Sequence, residues 1–474
     1  MHRAVAVPFA IVVCACGSSQ PAGAGAAGTG SGGTISAQPT CSLSLAGPPI
    51  PIVGFADRQA TAPSMLVLDP GGGDEAASIA IQVFANAGDS GLPDDIEIAR
   101  ARVGPTWPDD VSLDEPPQLL GEFALGPGYL AHSLGAPPTL ALAWHRDNAE
   151  VGRPQLRLLD LARWEEGADV EVAPSGDAIY SFVAGGAVGS GGTWDGDGYA
   201  VAWRDVGAPG AGPARPFGAL LDADGAVVRG PSPLAPGESY PGRAPSIAWT
   251  GSSYLVATAY DDCTDGSTCE PRSVVVASMI ASPDEGGGIE LRPVTALPAT
   301  DADAVPGSAS IAWFGGTAWV VWTEGPSADA GAAGARTVRM AMLDGAGRLL
   351  GTPVVVAAGS HPRSRVALSA GDAGVLVTWA EDAPGSDGGP SPSDLLPGAS
   401  FVVVQRVGLD GSVDPSPLRI PSTLVDDYVP PSATAIASSP GSALVLWAGR
   451  STVPANFDVT YLARIDCAAA SVAR

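Results

Sequence analysis

The hydrophobic pattern of this chain is a short apolar run that ends, in six of seven copies, in an aromatic residue and passes directly into polar residues. The ends of these runs lie 55 to 68 residues apart. The runs are 79–84, 140–144, 199–203, 254–258, 319–322, 375–379 and 444–447. Apolar runs of four to eight residues that are bounded by turn residues indicate buried strands. A repeat of this period with several strands per unit predicts a β-propeller, in which each repeat forms one blade.

The segment 244–298 shows the plan of one repeat. Strands are predicted at 246–249, 254–258, 273–280 and 290–297, with a loop over 259–272. Four antiparallel strands that are joined by turns make one blade of a propeller. The chain is therefore predicted to be an all-β protein, a seven-bladed β-propeller of four-stranded antiparallel blades, with six or eight blades as the alternatives.

Short Asp/Gly sequences separate the third and fourth strands of several repeats. They occupy 221–225, 343–347 and 409–411. Glycine supplies the positive φ of a tight hairpin turn, and aspartate bonds the local backbone. These sequences predict turns. A calcium loop through Asp222 and Asp224 is the alternative for the first of them.

The seventh repeat lacks an outer strand, because the chain ends soon after its third strand at 459–465. The segment 41–45, which precedes the first repeat, can supply the missing strand and close the ring by pairing the N- and C-terminal strands. Cys41 would begin this strand and Cys467 would end its neighbour, which predicts a Cys41–Cys467 disulfide. The propeller is predicted to span 41–467, followed by a C-terminal tail at 468–474. A second disulfide, Cys263–Cys269, is predicted within one loop.

The first 16 residues predict a secretory signal, because a basic start is followed by about ten apolar residues and small residues. Val13-Cys14-Ala15-Cys16 resembles a bacterial lipobox, which implies lipidation of Cys16; cleavage without lipidation is the alternative. Residues 17–40 are rich in Gly, Ser and Ala and predict a disordered tether. With the repeats, these features resemble exported bacterial lipoproteins with degenerate β-propeller repeats. That resemblance implies an exported protein of the cell envelope or outer membrane, periplasmic or surface-exposed, with membrane contact only through its anchor.

The net charge of −26 disfavours nucleic acid as a partner, because an acidic surface repels phosphates. Acidic residues follow the repeated apolar strand in most repeats, and they define a predicted acidic binding face. The members of this face are Asp147, Asp205, Asp261, Asp262, Glu324, Glu381 and Asp382. The connections into the blades add Asp301, Asp303, Asp426 and Asp427. All these segments are expected at one end of the ring, where loops on a rigid scaffold commonly carry function.

Tryptophans at equivalent positions of five repeats have two interpretations. They either pack between neighbouring blades or form a ring of stacking platforms for sugars. The tryptophans are Trp144, Trp203, Trp322, Trp379 and Trp447. The three histidines beyond the signal, His132, His145 and His361, fall in separate repeats without metal-binding spacing. No nucleophile or phosphate-binding motif is present in the sequence, so neither a metal nor a cofactor is predicted.

These features favour a monomeric, lipid-anchored scaffold that binds an unidentified protein or glycan through the acidic face. The alternative is an extracellular enzyme that acts on polysaccharide with a pair of carboxylates. A third hypothesis is calcium-assisted adhesion through Asp195-Gly-Asp-Gly198.

Overall fold

The computed structural model describes most of the chain from residue 41 onward. The described ranges are 41–52, 59–69, 76–86, 95–113, 118–121, 129–133, 139–146, 153–160, 164–173, 178–188, 194–205, 215–233, 245–251, 253–260, 273–281, 289–300, 304–326, 336–358, 363–371, 374–381, 400–422, 433–439, 442–452 and 455–469. These ranges contain strands and turns, and none of them holds a helix that could cross a membrane. The predicted signal, lipidation site and tether lie outside the described residues.

The strands group into seven antiparallel sheets, the blades. Blade 1 contains β3 (Gln59–Asp69), β4 (Ala77–Asn86), β5 (Asp95–Val103), β6 (Val111–Leu113) and β7 (Gln118–Gly121). Blade 2 contains β8 (Tyr129–Ser133), β9 (Thr139–Arg146), β10 (Arg153–Asp160) and β11 (Glu165–Glu171). Blade 3 contains β12 (Ala178–Val188), β13 (Trp194–Asp205), β14 (Arg215–Asp222) and β15 (Val227–Pro233). Blade 4 contains β16 (Ser246–Trp249), β17 (Tyr254–Tyr260), β18 (Ser273–Ala281) and β19 (Ile289–Pro298).

The remaining three blades follow the same plan. Blade 5 contains β20 (Ala304–Phe314), β21 (Thr317–Pro326), β22 (Thr337–Leu343) and β23 (Val354–Ala357). Blade 6 contains β24 (Arg363–Gly371), β25 (Gly374–Glu381), β26 (Ser400–Val407) and β27 (Leu418–Ser422). Blade 7 combines β28 (Ala433–Ser439), β29 (Ser442–Thr452) and β30 (Ala455–Ala469) with β1 (Cys41–Leu45) and β2 (Ile50–Pro51) from the start of the propeller.

The first strands of the blades line the middle of a closed ring. Each contacts the first strand of the next blade, and β28 contacts β3, which completes the circle. The predicted seven-bladed β-propeller is thereby confirmed. Every junction between blades holds its own cluster of buried apolar side chains, and each cluster includes residues from the second strand of the following blade. The core is thus distributed around the ring.

The predicted closure of the ring is confirmed at the level of strand pairing. β1 forms the outer strand of blade 7 and runs antiparallel to β30, with Leu43 opposite Cys467 and Cys41 opposite Ala469. β30 therefore includes the first two residues of the predicted C-terminal tail. Cys467 is disulfide-bonded. The register places the Cys41 position diagonal to Cys467 on the same face of the two strands. The bond between these two cysteines stays a prediction.

Blade 1 holds the closing segment in place. The indole Nε1 of Trp107, in the turn before β6, donates a hydrogen bond to the carbonyl oxygen of Pro48 at 3.1 Å. A Cβ at Gly47 would lie 2.9 Å from the Trp107 ring, so this close approach requires glycine. Arg464 of β30 donates in turn to the carbonyl oxygen of Pro105 at 2.9 Å. The seam between the two ends of the chain is therefore joined by side chains as well as by strand pairing.

The Asp/Gly sequences form the predicted turns. In blade 3, Oδ1 of Asp222 accepts hydrogen bonds from the backbone N–H of Asp224 at 3.0 Å and of Ala226 at 2.8 Å. Gly225 has a φ of +80°, which favours glycine. Asp344 in blade 5 and Asp410 in blade 6 bond their turns in a similar way. The backbone thus occupies the Asp222 oxygen that the alternative calcium loop would need.

Candidate functional site

The loop end of the ring is defined as the end where each second strand leads into the third and where the chain enters the next blade. The opposite end, with the Asp/Gly turns, is the turn end. In blade 5, Ala304 at the start of β20 lies opposite Pro326 at the end of β21. The connection into a blade and the end of its second strand therefore share the loop end, as predicted.

Much of the predicted acidic face lies outside the described residues. This holds for Asp147, Asp261, Asp262 and Asp382, for the predicted second disulfide Cys263–Cys269, and for Asp301, Asp303, Asp426 and Asp427. Asp205 is the last residue of β13, and the Asp195–Gly198 sequence lies in the same strand. Among the acidic side chains predicted for this face, those of Glu324 and Glu381 are described.

Glu324 is buried at the loop end of blade 5 and has several hydrogen-bond donors. Its Oε1 accepts from the indole Nε1 of Trp322 at 2.8 Å and from Nη1 of Arg339 at 3.3 Å. Its Oε2 accepts from the hydroxyl of Thr300 at 2.6 Å and from the Thr300 backbone N–H at 3.3 Å. Arg339 also donates to the Thr300 hydroxyl, and its guanidinium lies 5.7 Å from the centre of the Trp322 ring. The carboxylate is thus neutralised and held by groups of its own blade and of the connection into that blade.

Glu381 repeats this arrangement in blade 6. Its Oε2 accepts from the indole Nε1 of Trp379 at 3.3 Å, and its Oε1 accepts from Nη2 of Arg419 at 3.0 Å. The arginine comes from the fourth strand of this blade, whereas in blade 5 it comes from the third. In both blades the arginine is aligned with the tryptophan across the strands. Arg339 lies directly opposite Trp322. Arg419 lies two strands from Trp379, and Val403 lies between them.

Glu324 and Glu381, predicted to lie just past the repeated strand, are instead buried within it. Both lie within their strands, because β21 continues beyond Trp322 to Pro326 and β25 continues beyond Trp379 to Glu381. Residues i and i+2 of a strand point to the same face, so the carboxylate lies beside the indole and supplies its buried N–H with an acceptor. A Trp-x-Glu sequence, with arginine available in a neighbouring strand, is the sequence signal that distinguishes these glutamates from loop acids.

The five repeated tryptophans are buried between blades, which confirms the packing interpretation. In blades 3 and 7 the neighbouring strand covers the indole with an aromatic ring: Phe217 stacks on Trp203 at 6.1 Å and Tyr461 on Trp447 at 5.7 Å. In blade 2 the guanidinium of Arg157 lies 5.5 Å from the centre of the Trp144 ring. Sugar stacking on these tryptophans is excluded, because none of them presents a ring face to solvent.

The described residues contain no group of three or more His, Cys, Asp or Glu that could hold a metal ion. The perturbed carboxyl groups among them lie at the turn end. Hydrogen bonds from the backbone and side chain of Arg348 lower the pKa of Asp344. Hydrogen bonds from the hydroxyl and amide of Ser412 lower the pKa of Asp410. These shifts follow from the structure of the turns, in which the aspartate accepts several hydrogen bonds in its charged form.

Known proteins resemble this chain in fold alone. No family model and no curated protein matches the chain. Among solved structures, a protein of unknown function from Dyadobacter fermentans DSM 18053 is similar, with a TM-score of 0.46 and 11% identity over 90% of this chain and 99% of that one. An α-L-arabinofuranosidase from Fusarium graminearum has a TM-score of 0.42 and 12% identity over 71% and 92%. The propeller of Dos1 has a TM-score of 0.40 and 10% identity over 86% and 96%.

Proposed function

We propose that this protein is an exported, lipid-anchored propeller scaffold that binds a protein or glycan partner through the loop end. The observation that carries the proposal is that the second-strand side chains at this end are committed to the core of the ring. The described tryptophans of the second strands are buried between blades, and Glu324 and Glu381 are buried beside two of them. The connecting segments beyond these strands are left to meet a partner, as is common for loops on a rigid scaffold.

The charge of the connecting segments supports the same proposal. The segment 382–399, which joins β25 to β26, contains Asp382, Asp387 and Asp394 and no basic residue. The segment 261–272 contains four acidic residues, Asp261, Asp262, Asp265 and Glu270, and one basic residue. An acidic surface attracts cationic groups and repels phosphates, so a partner with exposed basic groups fits this end.

The anchor and the location of the protein are proposed from the N-terminal sequence. The basic start, the apolar run and the lipobox-like residues that end at Cys16 support export and lipidation. The Gly/Ser/Ala-rich segment 17–40 would then link the propeller to the membrane. Replacing Cys16 with Ser is expected to move the protein from the membrane fraction to the soluble fraction. Unchanged partitioning would rule out the lipid anchor.

Binding at the loop end is tested with a charge-neutralised variant. The purified chain is screened against a glycan panel and against fractionated envelope proteins, and each positive partner is measured again with the variant Asp382→Asn, Asp387→Asn, Asp394→Asn. The control variant Asp109→Asn, Asp224→Asn, Asp284→Asn removes the same charge from third-to-fourth strand connections at the turn end. Only the first variant is expected to weaken binding. Equal effects of both variants would show that net charge, and not the loop end, governs binding.

The alternative function, a carboxylate-dependent enzyme that acts on polysaccharide, is tested in the same screen. Incubation of the glycans with the purified chain is expected to leave them uncleaved. Release of reducing ends that the loop-end variant abolishes would establish the enzyme in place of the scaffold.

A further inference from the structure

The outer edge of blade 5 exposes an unusual amount of apolar surface. Val355 of β23 is 51% exposed, and Leu350 and Leu349, which precede the strand, are 43% and 39% exposed. These are three of the four large hydrophobic side chains that are exposed among the described residues, and Val228 is the fourth. Scattered single exposures are normal on a protein surface, whereas three along one sheet edge indicate a contact site.

The outer strand of blade 5 has no charged residue or proline within it, unlike the outer strands of blades 2, 3, 4 and 6. Exposed edges normally carry charged residues or prolines, which prevent another strand from adding to the sheet. Such residues occur within β11 (Glu165, Glu166, Asp169, Glu171), β15 (Arg229, Pro231, Pro233), β19 (Glu290, Arg292, Pro293, Pro298) and β27 (Arg419, Pro421). β23 reads Val-Val-Val-Ala, and no residue from 349 to 358 is charged. Pro353 directly precedes β23, and the outer strands β1, β6 and β7 also lack charged residues, but the described side chains of β1 and β6 include no exposed large hydrophobic residue.

The edge is firmly held as well as apolar. On its inner side β23 pairs with β22, with Val355 opposite Arg339 and Val354 opposite Met340. Val356 is buried in the cluster between blades 5 and 6. Upstream, the backbone N–H of Leu350 donates to the carbonyl oxygen of Met342 at 2.8 Å. Within the described sheet no strand pairs with the outer side of β23. The backbone groups on that side are therefore held in position for pairing with an added strand.

We infer that the outer edge of blade 5 binds an extended, uncharged segment of a partner protein, which adds to the sheet as a fifth strand. The inference concerns the rim of the ring and does not rest on the function proposed for the loop end. Main-chain hydrogen bonds to the edge would supply affinity, and alternate side chains of the added strand would meet the exposed valine and leucines. Basic residues flanking the segment suit a chain with a net charge of −26.

A second copy of this chain fits the edge less well. A stable interface between copies buries roughly 800 Å² per partner, far more than Val355 of the four-residue strand β23 and the two leucines that precede it provide. Two copies would also bring together bodies that each carry a charge of −26, which repel one another. A narrow strand from a neutral or basic partner avoids both costs.

The test uses a labelled heptapeptide, Arg-Val-Thr-Val-Thr-Val-Arg, and measures its binding to the purified full chain by fluorescence anisotropy at physiological salt. Binding is expected to slow hydrogen exchange of the backbone amides of 354–357. The variant Val355→Lys places a charge on the edge and is expected to weaken binding by about tenfold or more, as edge lysines do in natural sheets. The side chain is half exposed, so the variant is expected to keep the wild-type melting temperature.

Two matched controls make the outcome decisive. Val228→Lys changes the other large exposed hydrophobic residue, on the proline-protected edge of blade 3, and is expected to leave peptide binding unchanged. The peptide Arg-Val-Pro-Val-Pro-Val-Arg has the same charge but cannot pair as a strand, and it is expected not to bind. Absence of binding by the first peptide, equal binding of both peptides, or equal loss in the two lysine variants would overturn the inference. Dimerisation of the chain that Val355→Lys abolishes would instead identify a second copy as the occupant.

Discussion

Trp322 donates its indole N–H to the carboxylate of Glu324, two residues further along the same strand, over 2.8 Å. Both side chains are buried at the junction of blades 4 and 5. The contact satisfies the one polar group of a large apolar side chain and creates a buried negative charge, which Arg339 neutralises. The aromatic packing between blades and the ion pair at the loop end are therefore parts of one structure.

Removal of the Glu324 carboxylate is expected to destabilise the propeller strongly. The variant Glu324→Ala leaves the mostly buried Arg339 without its anion, which costs about 3–5 kcal/mol in comparable buried pairs. Glu381→Ala is the matched variant in blade 6. It leaves the Trp379 N–H without its acceptor, at about 1–3 kcal/mol, but Arg419 is 46% exposed and can be hydrated. Denaturant unfolding should therefore show a larger loss for Glu324→Ala. A double variant Glu324→Ala, Arg339→Met should recover part of that loss, and failure to do so would contradict the ion-pair argument.

The closing disulfide is expected to raise the stability of the ring. A bond between Cys41 and Cys467 would close almost the whole propeller, and the loop-entropy model assigns it about 5–6 kcal/mol. Without reductant Cys467→Ser should melt below the wild-type protein, and in dithiothreitol the two proteins should melt at nearly the same temperature. Alkylation and mass spectrometry of the exported protein should find both cysteines protected. Free thiols at 41 and 467 would show that strand pairing alone closes the ring.

The aspartates of the turns are expected to stabilise the protein in a pH-dependent manner. The folded-state pKa of Asp410 is lowered by hydrogen bonds from Ser412, so its contribution is present above the unfolded pKa of about 3.9. The contribution is lost as the pH falls from there through the folded pKa, because protonation then costs the folded state more. Wild type should therefore melt above Asp410→Asn at pH 7, and the difference should shrink below about pH 4. A difference that is constant down to pH 2 would contradict this assignment.

Substitution of two glycines with positive φ distinguishes the cost of backbone strain from the cost of a steric clash at Cβ. Gly251 has a φ of +89° and open space at its Cβ position, so Gly251→Ala should cost about 1–2 kcal/mol for its conformation alone. Gly374 has a φ of +115°, and a Cβ there would lie 2.6 Å from the carbonyl oxygen of Val407. Gly374→Ala should therefore destabilise the protein clearly more than Gly251→Ala, as measured by thermal unfolding. Equal losses would show that the backbone at Gly374 moves aside.

The sequence was sufficient to predict the elements that repeat and the strand that one repeat lacks. The repeated tryptophans mark the second strand of five blades, and the incomplete seventh repeat indicates that Cys41–Leu45 is its outer strand. The environment of Glu324 was not predictable from strand patterns, because it depends on whether the strand ends at Trp322 or continues past Glu324, as it does to Pro326. The contact of Trp107 with Pro48 joins residues 59 apart in different blades, and no local pattern indicates it. The acidic loop segments stay a prediction.

The pairing of β1 with β30 also determines the end of the propeller to which an N-terminal anchor would be attached. β30 runs from the loop end to the turn end, and Cys41 lies opposite Ala469, so the chain that precedes Cys41 departs from the turn end. A lipid anchor at the N-terminus would therefore be tethered to the turn end, opposite the loop end. A tag fused to the C-terminus would sit on the side of the anchor, which leaves the loop end unobstructed for labelling.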